Sequence, residues 1–344
     1  MLDLVIIGAG PAGIMAAFEA KKAGLDYVVI EKGLIGNTIY HYPVGLTVFS
    51  TVNELEFEEG GLEPAREKPT REELLSYYVR FVLDNDLNVR TEETVASVKK
   101  FPAETQSRRA ADPFVVETDK SVYEARSVLF AIGAMDYPRK LNVPGEDLPH
   151  VFDHFRETYP WVKKRALIVG GGNSAGEAAL FLAQEGADTT LAIFRENWES
   201  TDPKQGCIKY WVKEPLENEL KEHCLNLFFL GKVIEIREGE VELESEKGDR
   251  VVIENDVVFV LIGSDADLSI MTGLGVETEV GKYGEVPVYD PDTFETNIGG
   301  IYVAGHFTNQ RHIKGAIDAA KVLVPQLAKK LKAEKTEGTE KATV

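Results

Sequence analysis

Leu4 to Glu31 reads LVIIGAGPAGIMAAFEAKKAGLDYVVIE. The apolar run Leu4 to Ile7 gives way to Gly8, Gly10 and Gly13, and a helical pattern then leads to a second apolar run closed by Glu31. Each glycine has a mechanical use. Gly8 permits a tight strand-to-helix turn, Gly10 lets a pyrophosphate approach the backbone, and Gly13 lets the helix lie close on the strand. The helix that opens at Pro11 and Ala12 then presents free N–H groups and the positive end of its dipole to phosphates. Glu31, with Lys32 beside it, ends the second strand where a carboxylate can accept hydrogen bonds from a ribose diol. A glycine triplet alone would read as ordinary turns. With its strand, helix and acid in place, it reads as a dinucleotide site.

At 344 residues the chain is too long for one typical core, so two domains are expected. Apolar residues at 44% and charged residues at 28% describe a globular protein, and a net charge of −19 argues against nucleic acid or an anionic membrane as partner. No stretch approaches the roughly 20 apolar residues of a membrane span. The opening MLDLVII lacks a basic region ahead of its apolar run, so no cleaved signal is expected and the cytoplasm is the expected location. Cys207 and Cys224 form neither a CxxC nor a disulfide framework, and no cluster with metal-ligand spacing is evident.

Lys32 to Thr51, KGLIGNTIYHYPVGLTVFST, reads as a long loop with a short extended end, and a loop of that length directly after such a strand usually belongs to the site. Asn37, Tyr40 and Tyr42 are its candidate cofactor contacts. Thr70 and Glu73 have the spacing of a capping box ahead of a packing helix through Leu83. Asn88 to Val98 alternates as a strand, and Phe101 to Asp112 reads as a hairpin loop. Ser127 to Ala134, SVLFAIGA, is a buried strand whose end, Ala131 and Gly133, faces the same site.

A second fingerprint follows at Arg165 to Ala175, RALIVGGGNSA, with Gly170, Gly172 and Ala175 in the three positions and Asn173 and Ser174 opening the helix. Its second strand, TTLAIF, ends in Arg195 rather than in an acid. A guanidinium there can pair with a ribose 2′-phosphate, which favours NADP over NAD. Two fingerprints call for two nucleotides: FAD at the site closed by Glu31, NADPH at the site closed by Arg195. DVVFVLIG, ending at Gly263, closes the second domain, and ETNIGGIYVAGH returns the chain to the first, ending at Gly305 and His306. Asn309 to Leu327 reads as a last amphipathic helix, and the segment from Ala333 as disordered.

These segments resemble the two-domain flavoprotein reductases related to low-molecular-weight thioredoxin reductase. NTIYHYPVGLTVFST, VPGEDLPHVFDHF, VGGGNSA and ETNIGGIYVAG are similar, more narrowly, to the YpdA-type bacillithiol disulfide reductases. The resemblance implies an α/β fold of two nested Rossmann-like domains: a discontinuous FAD domain over residues 1–141 and 266–332, an inserted NADPH domain over 142–265, and a flexible tail over 333–344. It also implies a homodimer, a backbone contact to adenine near Val95, and NADPH-dependent, FAD-mediated reduction of oxidised bacillithiol. Three departures stand out. The CxxC of thioredoxin reductases is missing, Ala12 occupies the position where YpdA-type proteins often carry a cysteine, and His306 replaces the superfamily's aspartate after the last strand.

Hydride transfer from NADPH to flavin needs no protein acid, base or nucleophile, so no catalytic side chain is assigned. Cys224, in the helix-like run ELKEHCLNLFF, reads as a small buried hydrophobe, and Cys207 as the more exposed thiol. The electron acceptor is a small-molecule disulfide or a small redox protein. A ferredoxin–NADP reductase, a flavin monooxygenase and a nucleotide-retaining redox sensor are the competing readings.

Overall fold

The computed structural model describes residues 1–100, 113–200, 208–281, 284–310 and 312–341, with side chains described as far as residue 334. The expected hairpin loop at Phe101 to Asp112, and Cys207, lie outside the described residues.

The chain divides into two compact units. Unit 1 comprises Met1–His41, Gly45–Tyr137 and Asp265–Val344; unit 2 comprises Tyr42–Val44 and Pro138–Ser264. In chain order the first part of unit 1 holds β1 (Leu2–Ile7), α1 (Pro11–Ala23), β2 (Tyr27–Ile30), α2 (Asn37–Tyr40), α3 (Val52–Leu55), α4 (Arg71–Asp84), β3 (Val89–Arg90), β4 (Val95–Lys100), β5 (Phe114–Thr118) and β6 (Val122–Phe130). The short β7 (Tyr137–Pro138) leads into unit 2, which holds β8 (Val151–Phe152), β9 (Arg165–Val169), α5 (Asn173–Gln184), β10 (Asp188–Ile193), α6 (Arg195–Glu199), α7 (Tyr210–Lys221), β11 (Leu225–Arg237), β12 (Glu240–Ser245), β13 (Arg250–Glu254) and β14 (Val257–Val260). After β15 (Ser264–Asp265), unit 1 resumes with α8 (Ser269–Gly273), β16 (Thr278–Gly281), β17 (Gly284–Pro287), β18 (Ile301–Val303) and α9 (Ile313–Lys341).

In unit 1, β1 pairs parallel with β2 on one side and β6 on the other, β3 extends the sheet beyond β2, and β18 pairs with the far half of β6. Leu4, Val5 and Ile6 are fully buried, as expected for a parallel strand covered on both faces. Alternate residues Val5, Ile7, Val28 and Ile30 meet Val98, Phe114 and Val116 of the β4–β5 hairpin and Met271 of α8. Unit 2 repeats the plan. Ala166, Ile168, Leu191 and Phe259 pack under α5 and α7, while Leu167, Val169 and Val258 face Val233, Val241 and Leu243 of the β11–β12 hairpin. Each unit therefore covers its parallel sheet with helices on one face and an antiparallel hairpin on the other.

The capping box at α4 forms as read: Thr70 Oγ1 accepts from the Glu73 N–H at 3.2 Å, and Glu73 accepts from the Thr70 N–H at 2.8 Å. Several expectations are corrected. Asn88 to Val98 is not one strand but β3 and β4, divided by a turn in which Glu92 has φ +55°. The long loop after Glu31 contains the helical turn α2, and its Tyr42–Val44 piece groups with unit 2, where the Val44 N–H donates to the Arg156 carbonyl at 2.7 Å. Beyond Ala333, α9 continues to Lys341. The buried Arg126 guanidinium bonds the Leu331 carbonyl at 3.2 Å and Glu334 at 2.8 Å, which docks the turn leading into that continuation, and Ala, Glu and Lys favour helix beyond. Among the described residues no helix is long and apolar enough to cross a membrane.

Candidate nucleotide sites

In unit 1 the C-terminal ends of β1, β2, β6 and β18 lie together, the place where open α/β sheets bind ligands. A Cβ on Gly13 would stand 1.8 Å from the Gly8 carbonyl oxygen, so no other residue lets α1 approach β1 this closely. Gly8 has φ +109°, and its Cβ would meet the Ala131 carbonyl oxygen at 2.4 Å. A Cβ on Gly10 would meet nothing within 4 Å, which leaves open the position a pyrophosphate needs. Gly10 is also the N-cap of α1 and supplies no side chain to its first-turn N–H groups.

Glu31 is buried, and both of its oxygens are engaged: Oε2 accepts from the Ala9 N–H and Oε1 from the Gly33 N–H, each at 2.7 Å. A carboxylate has about four lone-pair sites, so two remain for hydroxyl donors. The Gly36 N–H donates to the Ala9 carbonyl at 2.9 Å and so docks the start of α2 on the glycine turn. Asn37 then accepts from the Leu34 N–H at 3.3 Å, the Tyr40 carbonyl accepts from Arg71, and Lys32 pairs with Asp136. Val95 opens β4 shortly after Glu93, whose N–H donates to the Glu31 carbonyl at 3.0 Å. From the other end of the chain, Gly305 (φ +109°) would place a Cβ 3.5 Å from that of Ala12. Ala12 is buried, His306 exposed, and Gly133 (φ +75°) has open space beside it.

Unit 2 assembles a second glycine turn of the same form. Gly172 is the N-cap of α5 without a side-chain cap, and its Cβ position is open. A Cβ on Gly170 would meet the Leu261 carbonyl oxygen at 2.3 Å. Ala175 is fully buried, Ser174 is exposed, and Asn173 Oδ1 accepts from the Lys209 N–H at 2.8 Å. Gly263 follows β14 with φ +97°, its carbonyl accepting from the Arg139 N–H at 2.9 Å. Arg195, the first residue of α6, is not a free cation. Its Nε and Nη2 donate to the two oxygens of Glu246 at 2.7 and 2.5 Å, its Nη1 donates to Glu199 at 3.0 Å, and its guanidinium lies 3.7 Å from the Phe229 ring centroid.

Tyr42 groups with the second unit rather than the first. There, burial and the Glu177 carboxylate raise its phenol above the ordinary range. Glu177 escaped the sequence reading although it interrupts the apolar face of AGEAALFLA; burial on α5 pushes its carboxyl up to about 7. Cys224 is exposed rather than buried, because α7 ends at Lys221 and β11 starts at Leu225, leaving it in the turn between. It gathers there with Glu219 and Glu222, ligand atoms within 4.8 Å, a surface cluster that sequence spacing did not reveal.

Both glycine turns fit a dinucleotide: the phosphate position is open, the helix start is uncapped, the first position is packed against backbone, and the third is buried. Two Rossmann-like units, one inserted in the other, define the two-domain nucleotide-dependent oxidoreductases. The chain belongs to the pyridine nucleotide-disulphide oxidoreductase family, which it matches over residues 5–305. It is 36% identical to the bacilliredoxin reductase Bdr of Bacillus subtilis (strain 168) over 301 residues, 88% of each chain. Its fold is similar to that of the bacillithiol disulfide reductase Bdr (YpdA) from Staphylococcus aureus, with a TM-score of 0.86 and 31% identity over 96% of this chain and 98% of that one. The Bdr (YpdA) of Bacillus cereus gives 0.83 and 29% over 96% and 99%. The chain is therefore an oxidoreductase, and its family implies a flavin and NAD(P)H.

Proposed function

We propose that this chain is an FAD-containing, NADPH-dependent reductase of a low-molecular-weight disulfide of the bacillithiol disulfide class. The similarity to Bdr reductases along nearly the full length of both partners carries the reading. In the overall reaction NADPH, one proton and one disulfide give NADP⁺ and two thiols. When bound, the flavin supplies the two-electron relay between nicotinamide and disulfide.

The residues divide the work by unit. In unit 1 the backbone N–H groups at Ala12 and Gly13 face the pyrophosphate, Glu31 offers its remaining lone pairs to the ribose, and the Val95 backbone meets the adenine. Ala131, Gly133, Gly305 and His306 border the flavin ring. In unit 2 Gly172, Asn173 and Ser174 cradle the second pyrophosphate, and Arg195 lies at the 2′-substituent. With Ala12 buried and no thiol at that position, the acceptor is reduced without a cysteine from residue 12. A cytoplasmic homodimer completes the proposal.

Anaerobic reoxidation of the NADPH-reduced enzyme, followed at the flavin's visible band, tests it. Bacillithiol disulfide is expected to restore the band rapidly. Reoxidation by oxidised ferredoxin alone would replace the disulfide reading with that of an electron-transfer reductase.

A further inference from the structure

Arg195 sits where the second nucleotide's 2′-substituent would lie, yet three of the five N–H donors of its guanidinium are spent on two carboxylates. Glu246 takes the Nε–Nη2 edge in two parallel bonds, the geometry in which a guanidinium grips a phosphate. The pair is built in rather than incidental. The Glu246 N–H donates to the Phe229 carbonyl at 3.1 Å, and the Phe229 ring underlies the guanidinium. Phe229 in turn pairs with Ile193, two residues before Arg195. A register shift between Leu230 and Lys232 lets β11 and β12 close tightly at Gly231, whose Cβ would meet the Ser245 carbonyl oxygen at 2.6 Å, and Glu246 follows directly on the end of β12.

We propose that Glu246 is a specificity-determining residue of the second nucleotide site, competing with a ribose 2′-phosphate for the Nε–Nη2 edge of Arg195 while leaving a 2′-hydroxyl unopposed. The proposal rests on reading unit 2 as the nicotinamide-dinucleotide site. Its consequence is a muted preference for NADPH over NADH, because a dianionic phosphate must displace one carboxylate and settle beside another, whereas a ribose hydroxyl can donate to Glu246 as it stands. The pairing also holds the Glu246 carboxyl below the usual carboxylate range, so the competitor stays charged at neutral pH. Arg195 and Glu246 are both partly exposed, and their exchange does not disturb the core.

Calorimetric titration of the full-length protein with 2′,5′-ADP and with 5′-AMP reads the effect without turnover. Glu246→Gln is expected to tighten 2′,5′-ADP by about tenfold and to leave 5′-AMP within about twofold, with Glu199→Gln giving a smaller shift in the same sense. Arg195→Ala is expected to weaken 2′,5′-ADP alone and to abolish the gain from Glu246→Gln in the double variant. A Glu246→Gln protein that binds both ligands as wild type does, or an Arg195→Ala protein that loses both equally, overturns the proposal and leaves the disulfide-reductase reading standing. Failure of wild type to bind either ligand removes the site assignment itself, and the proposal with it.

Discussion

The residue that closes the second strand differs in kind between the two units. Glu31 in unit 1 is 7% exposed, and both oxygens are bound to backbone N–H groups of the glycine turn and the loop after β2. Arg195 in unit 2 has a side chain 43% exposed and held by carboxylates at the surface. The first residue is a structural bolt; the second is a surface cation paired with carboxylates. Under the proposed function, that contrast suits a group that stays with its unit in one case and a reactant that comes and goes in the other.

The third fingerprint position gives the largest predicted contrast. Gly13→Ala drives a Cβ into the Gly8 carbonyl and is expected to cost more than about 3 kcal/mol in urea denaturation. At the matching position of unit 2, Ala175→Gly should cost about 1 kcal/mol, the ordinary helix penalty. Similar costs at the two positions would break the comparison. Next, Glu31→Ala orphans two backbone N–H donors and is expected to lower the stability of flavin-stripped protein by about 2–4 kcal/mol. Arg195→Ala should stay within about 0.5 kcal/mol.

A pH dependence separates the units further. With its carboxyl raised to about 7 in the fold, Glu177 binds a proton that the unfolded chain has already released. The stability it contributes is fully present below the ordinary carboxylate pKa and is lost as pH rises through about 7. Glu177→Gln is expected to match wild type at pH 4 and to exceed it by roughly 2 kcal/mol at pH 8 in the unfolding of unit 2. An equal difference at both pH values would mean that burial of the charge is not what the substitution relieves. Smallest of all, Cys224→Ser at its exposed turn should change stability by less than about 0.5 kcal/mol and leave flavin reoxidation by disulfide unaltered, while removing one thiol from an Ellman titration.

What was legible in the sequence was short in range. Both glycine turns, their helices and the Thr70–Glu73 box are set by residues a few positions apart, so spacing alone revealed them. Glu246 was not legible, because its approach to Arg195 depends on the pairing of β10, β11 and β12 and on the irregularity at Gly231. Cys224 was misplaced because ELKEHCLNLFF keeps its apolar pattern across a boundary at which the period changes from helix to strand. The helical end of the chain also has a long-range cause. Its composition is that of a solvated tail, and what orders its beginning is Arg126, on a strand made long before.

That separation along the chain bears on how the protein is made. Unit 2 is nearly continuous and can close as it leaves the ribosome, whereas the sheet of unit 1 keeps the edge of β6 open until Ile301–Val303 has been synthesised. Through that interval the nascent chain carries an unpaired apolar strand edge, the feature most prone to pairing with another chain. Synthesis therefore finishes the inserted unit before the unit that encloses it, and the final helix has to emerge before the buried Arg126 meets its last partners.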